Sequence, residues 1–270
     1  MEHSIPVSAP FDAIAAAYDD TFSNSSIGRL QRELVWLEAD RAFRTGQHVL
    51  EINCGTGIDA LHFASRGLKV LACDSASAMV EVARRRLNAS AFPHGVDVRC
   101  LAIEQLGTLE PERPYNGIFS NFAGLNCLSD LNSVVRDMAR LVTPGGKVVL
   151  CLFGQICVWE IFFYALRGDF RKAFRRFRRY GAVAVLAPGS QVVVHYPSVR
   201  ELRRMFSPYF RLERWRGAGI SVPPSYLEGL AVAFPRFLRL AAGIDAWFGR
   251  CPGFRALADH VVLTFERSDA

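Results

Sequence analysis

The chain has 270 residues, half of them hydrophobic, and a formal net charge of +6 at neutral pH. That length suits one α/β domain with insertions, or one domain and a small cap, with enough chain to bury a full core. No apolar run is long enough to cross a bilayer, and Met1-Glu2-His3-Ser4-Ile5-Pro6 lacks the basic and apolar regions of a signal peptide. The seven cysteines are scattered singly, with no CxxC pair and no Cys/His cluster at zinc spacing. They read as reduced, buried residues of a cytoplasmic protein without a metal site.

Phe11, Ile14, Ala15, Tyr18 and Phe22 recur at helical spacing and predict one apolar helix face. A second amphipathic helix is expected over Ile27 to Phe43. Both precede the first strand, so they can fold over its carboxyl end as a lid. Val49 to Gly57 (Val-Leu-Glu-Ile-Asn-Cys-Gly-Thr-Gly) follows. It predicts a buried strand that ends in an acid, Glu51, and runs through a glycine turn into a helix over Ile58 to Ser65. Gly55 and Gly57 let a ligand approach main-chain amides, and the helix points its N-terminus at that ligand.

Leu68 to Asp74 is a second apolar strand ending in an acid. Asp74 lies about 20 residues past the turn, the spacing at which a carboxylate reaches the hydroxyls of a ribose bound there. A helix over Ser75 to Leu87 carries Met79 near its start. Further strands are expected at Val96 to Leu101, Tyr115 to Phe122 and Lys147 to Phe153. Leu131 to Val142 has a clear helical period, which Pro144-Gly145-Gly146 stops. Five strands alternating with helices imply a parallel sheet covered on both faces.

Beyond residue 153 the pattern changes. Ile156 to Leu166 is apolar nearly all round, with Glu160 inside it. Asp169 to Tyr180 places Phe170, Phe174 and Phe177 on one helical face and six basic residues around the rest. Three readings apply to it: a solvated helix packed on the core, an interfacial helix on an anionic membrane surface, or a nucleic-acid contact. The absence of any recognised RNA or DNA module argues against the last. A short strand is expected at Val192 to His195, and a capping box opens a helix at Ser198. A strand at Phe210 to Trp215, a helical apolar stretch over Pro223 to Phe248 and a strand at His260 to Glu266 complete the chain.

Two cofactor classes use a turn like that at Gly55. Gly55-x-Gly57-x-x-Ala60 with Asp74 satisfies a dinucleotide pattern. Against it, Glu51 stands where a pyrophosphate needs backbone room, and no Tyr-x-x-x-Lys follows. Residues 11 to 153 resemble the Rossmann-like, class I S-adenosylmethionine-dependent methyltransferases, most of all the small-molecule type of quinone and natural-product biosynthesis. The matching pieces are Ala17-Tyr18-Asp19, Val49 to Gly57, Ala72-Cys73-Asp74-Ser75 with Met79, Ile118 to Phe122, and Leu141 to Lys147.

The resemblance implies an α/β fold: a Rossmann-like, seven-stranded, mostly parallel sheet with helices on both faces and a helical cap. It implies a lid at 1–45, a cofactor core at 46–153, an inserted cap at 154–208, and C-terminal strands with a helical insert at 209–270. It places Cys54, Gly55, Thr56 and Gly57 at the methionine part of S-adenosylmethionine, with Glu51 in reach of a hydroxyl or ammonium group of the ligand and Asn53 either bonding its amino-acid end or bracing the turn. Asp74, followed by Ser75, falls at the ribose, and Met79, with Ile103 and Glu104, near the adenine. Asn121 and Phe122 line the pocket beside the sulfonium, and Tyr18 reaches the cofactor from the lid. Two positions depart from the pattern. Asn53 stands where the family usually has Gly, and the usual adenine-binding Asp is missing near Ala102.

The implied reaction is methyl transfer to a small lipophilic acceptor, at oxygen or carbon rather than nitrogen, with S-adenosylhomocysteine as product. A base is needed only when the acceptor must lose a proton. His195, Tyr196 and Glu160 are the expected candidates, and Asn126 and Cys127 are placed to touch substrate. The apolar stretches 156–166 and 227–248 are expected to enclose the acceptor. The alternatives are an NAD(P)-dependent oxidoreductase and a cofactor-binding scaffold without catalysis.

Overall fold

In the computed structural model, which describes residues 9–92 and 94–268, the apolar runs become strands. The reading of Met1 to Pro6 and the first eight residues of the expected lid lie outside those described. β1 (His48–Ile52), β2 (Lys69–Asp74), β3 (Val96–Cys100), β4 (Tyr115–Ser120) and β5 (Val142–Phe153) are parallel neighbours. β6 (Ala182–Ala187) and β7 (Ser190–Val194) form a separate antiparallel hairpin. β8 (Phe210–Ala218) and β9 (His260–Arg267) return to the main sheet, with β9 antiparallel to both β5 and β8. The order is β3-β2-β1-β4-β5-β9-β8. The chain therefore reverses direction across the sheet between β1 and β4, the place where doubly wound sheets hold ligands.

Alternation along each strand divides the core. Leu50, Ile118, Leu150 and Leu263 face α4 (Asn132–Leu141) and α7 (Val199–Phe206). Val49, Val70, Phe119 and Val149 face α1 (Ser26–Ala42), α2 (Ile58–Ser65) and α3 (Ser77–Asn88). The helices cover both faces, as a buried parallel sheet requires. Among the described residues, no helix is long and apolar enough to cross a membrane.

The inserts depart from expectation. Residues 10–23 do not form one helix. They make a 3₁₀ turn over Pro10–Ile14 and a π turn over Asp19–Ser23. Side-chain anchors win over helical period there. Asp12 accepts from the Ala78 amide (2.8 Å), and Asp19 binds Thr56 Oγ1 (2.7 Å) and Arg86. The stretch after Pro223 divides into α8 (Glu228–Ala233) and α9 (Pro235–Phe248), because Pro235 begins a new helix. The hairpin strand β6 went unread; its signal was the Pro188-Gly189 turn, with Gly189 at φ 78°.

Asp169 to Tyr180 also fails to form one helix. α5 (Val158–Ala165) is followed by a single turn, α6 (Phe170–Ala173), and a 3₁₀ turn over Arg175–Phe177. The reason is Glu160, buried at the start of α5. It binds Arg175 through Nε (2.7 Å) and Nη2 (2.9 Å), and Arg176 through Nη2 (3.0 Å). Arg176 also reaches Asp259 Oδ1 (2.6 Å) and the carbonyls of Gly154 and Asp259. Turning two arginines inward leaves Phe170, Phe174 and Phe177 exposed instead of packed on the core.

Removing one member of such a network strands buried charge. Glu160→Ala is expected to lower the unfolding free energy by about 3–5 kcal/mol. Urea denaturation measures it; a loss below about 1 kcal/mol would mean the pair behaves as a surface contact.

Candidate active site

A cavity of about 320 Å³ opens at the carboxyl ends of β1, β2 and β4. Every residue predicted to hold the cofactor lines it except Glu51 and Gly57. Gly57 (φ 78°) forms the turn instead: a Cβ there would sit 2.9 Å from the Ala83 Cβ, so only glycine lets α3 approach. Phe11, Arg32, Asp59, Gly124, Cys127 and Val192 are further lining residues.

Two walls carry left-handed backbone on non-glycine residues: Asn53 at φ 57°, and Phe122 and Ala123 at φ 48° and 65°. Asparagine tolerates this region better than most side chains. Asn53 Nδ2 donates to Ser120 Oγ (3.3 Å), and a Cβ on Gly124 would lie 2.3 Å from that same nitrogen. Asn53 therefore braces the end of β1 against the end of β4. Asp74 closes the turn on its other side. Its carboxylate accepts from the Gly55 amide (2.8 Å) and the Ala76 amide (2.9 Å). Burial raises its pKa, and those amides oppose the rise. Near Ala102 the backbone amide accepts no ligand freely, because it donates to Gln105 Oε1 (3.1 Å). Ile103 and Glu104 line the cavity there.

The hub of the other wall is Asp59, in the first turn of α2. Arg32 Nη1 (2.5 Å), Trp36 Nε1 (2.6 Å) and Asn121 Nδ2 (3.1 Å) all donate to it. The Arg32 guanidinium lies 4.6 Å from the centre of the Phe122 ring. Two buried atoms here have no hydrogen-bond partner: Arg32 Nε and Glu51 Oε2. Burial pushes Glu51 well above the usual carboxylate range, with Asp59 adding to the rise and Arg32 opposing it. Burial also raises the Tyr18 phenol to about 12, so it remains a donor at neutral pH. Arg32 and Asp59 escaped the sequence reading, although an arginine between Gly28 and Val35 on the buried face of α1 was a visible signal.

The expected bases are elsewhere. Glu160 is committed to Arg175 and Arg176. His195 and Tyr196 do not line the cavity. The His195 backbone exchanges bonds with Asn126, which tethers the end of β7 to the end of β4. Tyr196 lies 6.1 Å from Phe153, ring to ring, and 5.3 Å from the Arg176 guanidinium. Asn126 itself is buried and spends its side chain on His195 and Phe153 backbone, whereas Cys127 reaches the cavity. Behind Phe122 stands His260, 5.7 Å away ring to ring, with Nδ1 3.3 Å from Asp259 Oδ2; burial lowers its pKa and keeps it neutral. The apolar stretches around 156–166 and 227–248 do not enclose this cavity. They line an outward groove between α5 and α9 that shares no residue with it.

Residues 49–146 match the family described as methyltransferase domain. Demethylmenaquinone methyltransferase of Thermobifida fusca is 33% identical over 155 residues, covering 56% of this chain and 63% of that protein. The ubiquinone biosynthesis O-methyltransferase of Chromobacterium violaceum is 37% identical over 106 residues, 38% of this chain and 43% of its own length. The chain thus spans less than two thirds of these relatives. In three dimensions, the CcbJ methyltransferase of Streptomyces caelestis overlays with a TM-score of 0.63 at 16% identity, covering 97% of this chain and 99% of that one. The [4+2]-cyclase SpnF overlays at 0.58 and 17% identity, over 88% and 82%. These two likenesses show the Rossmann-like fold. None of the four is an oxidoreductase.

Asn53→Gly is expected to keep the turn and lose only the Ser120 bond, about 1 kcal/mol. Asn53→Val should cost more than that, because a β-branched residue resists left-handed backbone. Thermal denaturation of the two variants checks the order; equal losses would place the role of Asn53 in its side-chain bond alone.

Proposed function

We propose S-adenosylmethionine-dependent methyl transfer to a lipophilic, quinone-type acceptor at oxygen or carbon. The observation that carries the cofactor is that twelve of the fourteen residues expected to hold it line one cavity, beside which Arg32 Nε and Glu51 Oε2 are buried without a hydrogen-bond partner. They suit the carboxylate and ammonium of an amino acid. Asp74, at the far side of the glycine turn, suits the ribose hydroxyls, and Met79 with Ile103 offers an apolar seat for the adenine. When bound, the cofactor supplies an electrophilic methyl group on a sulfonium that is already a good leaving group.

The protein's part is placement and exclusion of water. Asp59 fixes Arg32 and Asn121 to one another, so both walls hold their positions before any ligand arrives. Phe122, Phe11 and Val192 present apolar surface to the acceptor, and Cys127 offers it a soft neighbour. Burial keeps the Cys127 thiol protonated, up to about 11, so it is no nucleophile at neutral pH. The names of the relatives support the quinone class. The exposed phenylalanines of residues 170–177 and the basic residues beside them support contact with a membrane surface, where such an acceptor partitions. Scattered, unpaired thiols support a cytoplasmic location.

Labelled methyl groups from S-adenosylmethionine are expected in a lipid-extractable quinone product, and Asp74→Ala should weaken S-adenosylhomocysteine binding by about tenfold or more. Cofactor binding with no labelled product from any cell extract would favour the scaffold reading; binding of NADH in its place would favour the oxidoreductase.

Glu51 adds a pH dependence. Its folded pKa is raised, so it holds a proton above the ordinary carboxylate range, and a cationic ligand favours the carboxylate. Binding should therefore release a proton, and affinity should rise from mildly acidic to neutral pH. Calorimetry in buffers of different ionisation heat measures the release; Glu51→Gln should abolish it.

A further inference from the structure

The groove between α5 and α9 has a volume of about 680 Å³ and an almost wholly apolar lining. Trp159, Phe162 and Ala165 line it from α5; Phe237, Leu240 and Ile244 line it from α9. On α9 the residues 237, 240, 244 and 247 form one stripe at helical spacing, beside a second stripe, Leu238, Ala241 and Asp245, that faces the core. The helix thus has two apolar faces and only one of them is covered. Its outer stripe is unusually bare: Leu240 is 66% exposed and Trp247 83%, while Phe162 opposite is 64% exposed. Scattered surface apolar residues need no explanation, but a contiguous groove between two such helices does.

Charge identifies what covers it. Residues 154–180 and 228–255 hold eleven basic and four acidic residues, so their charge of +7 exceeds the +6 of the whole chain. Three of the four acids are spent internally. Glu160 and Asp245 are buried, and Glu228 accepts from the Ser26 and Ile27 amides of α1. Arg175, Arg176 and Arg250 are paired with Glu160, Asp259 and Glu38, but seven other basic residues, among them Arg167, Arg236 and Arg239, are exposed, and α6 continues the surface from the end of α5, where Lys172 lies 5.5 Å from the Tyr164 ring. An apolar face with a tryptophan and a basic surround fits the headgroup boundary of an anionic membrane.

We propose that the α5–α9 face docks this protein on an anionic lipid bilayer, with Trp247, Leu240 and Phe162 inserted among the acyl chains and the arginines on the headgroups. This deepens the lipophilic-acceptor reading and rests on it only for why a bilayer is the partner; the vesicle test uses neither acceptor nor cofactor, which enter only in the control that separates the two failures.

Sedimentation of the full chain with vesicles is the test, comparing pure phosphatidylcholine with a mixture that includes phosphatidylglycerol. The protein should pellet with the anionic vesicles, less so as salt rises, and its tryptophan emission should shift to the blue by more than that of the Trp247→Ser variant. Leu240→Ser with Trp247→Ser should weaken binding by about tenfold or more while leaving the fold intact, since both side chains lie outside the core. Equal pelleting on the two vesicles, or binding that the double variant leaves unchanged, overturns the proposal. So does a concentration-dependent dimer that the double variant dissolves, which would give the face to a second copy of the chain. Normal methyl transfer to a water-soluble acceptor analogue by a protein that fails to bind vesicles would separate this failure from failure of the proposed reaction.

Discussion

One carboxylate, that of Asp59, holds the two halves of the ligand cavity together. It sits in the first turn of α2, where a negative charge is favoured by the helix dipole. From there it accepts from Arg32 and Trp36 of α1 and from Asn121 at the end of β4. Helix α1, the glycine turn and the strand-four wall are thereby referred to a single point. A buried ion pair contributes little net stability when compared with apolar packing, because desolvation offsets its attraction. Its value here is geometric. With Asp59 replaced, Arg32 would keep its charge and lose its orientation, and the wall at Phe122 that it stacks against would lose its support.

The same device recurs wherever an insert meets the core. Asp245 on α9 accepts from four consecutive amides, Gly219 to Val222, and so ties the loop after β8 to a helix more than twenty residues away. Glu38 on α1 gathers Arg41, Arg214, Arg216 and Arg250. Glu160 and Asp259 share Arg176 between α5, the 3₁₀ turn and the start of β9. Each acid is buried, and apart from Arg41, three residues from Glu38 on α1, each partner comes from another element. Several of the 32 basic residues are the counterparts of these acids.

This distribution explains what could be read in advance. Strands β1 to β5 announce themselves because a buried parallel strand needs a short run of Val, Leu and Ile, and that need is local. The acid at Asp74 and the glycines at 55 and 57 are likewise local, since a turn and a strand end require them. Asp59 and Arg32 look ordinary in sequence: one acid in a first turn, one arginine in an amphipathic helix. Their importance arises from a meeting of residues 27 positions apart, which no period reports. The basic segment misled for the same reason. Its helical pattern was genuine over 170–173, but Glu160 and Asp259 claimed the next two arginines and bent the chain. Glu160, expected as a titratable group, is fastened to two arginines, and His195 lies outside the cavity lining.

The divide between legible and illegible parts coincides with a divide in chemistry. The ends of β1, β2 and β4 make most of the cavity, and the family match ends at residue 146, inside β5. The outer groove is made by segments held to that core through long-range ion pairs. A sheet built on local patterning tolerates few alternatives at its strand ends, because Gly57 must admit Ala83 and Asn53 must meet Ser120. The inserts are constrained only at their anchor points, so the faces between anchors are free to take any chemistry that the partner demands. That freedom is visible in α9, which keeps Leu238, Ala241 and Asp245 for the core and gives Phe237, Leu240, Ile244 and Trp247 to the outside. Each exposed large apolar side chain favours association over solubility, so this stripe is the surface on which the proposed bilayer contact rests.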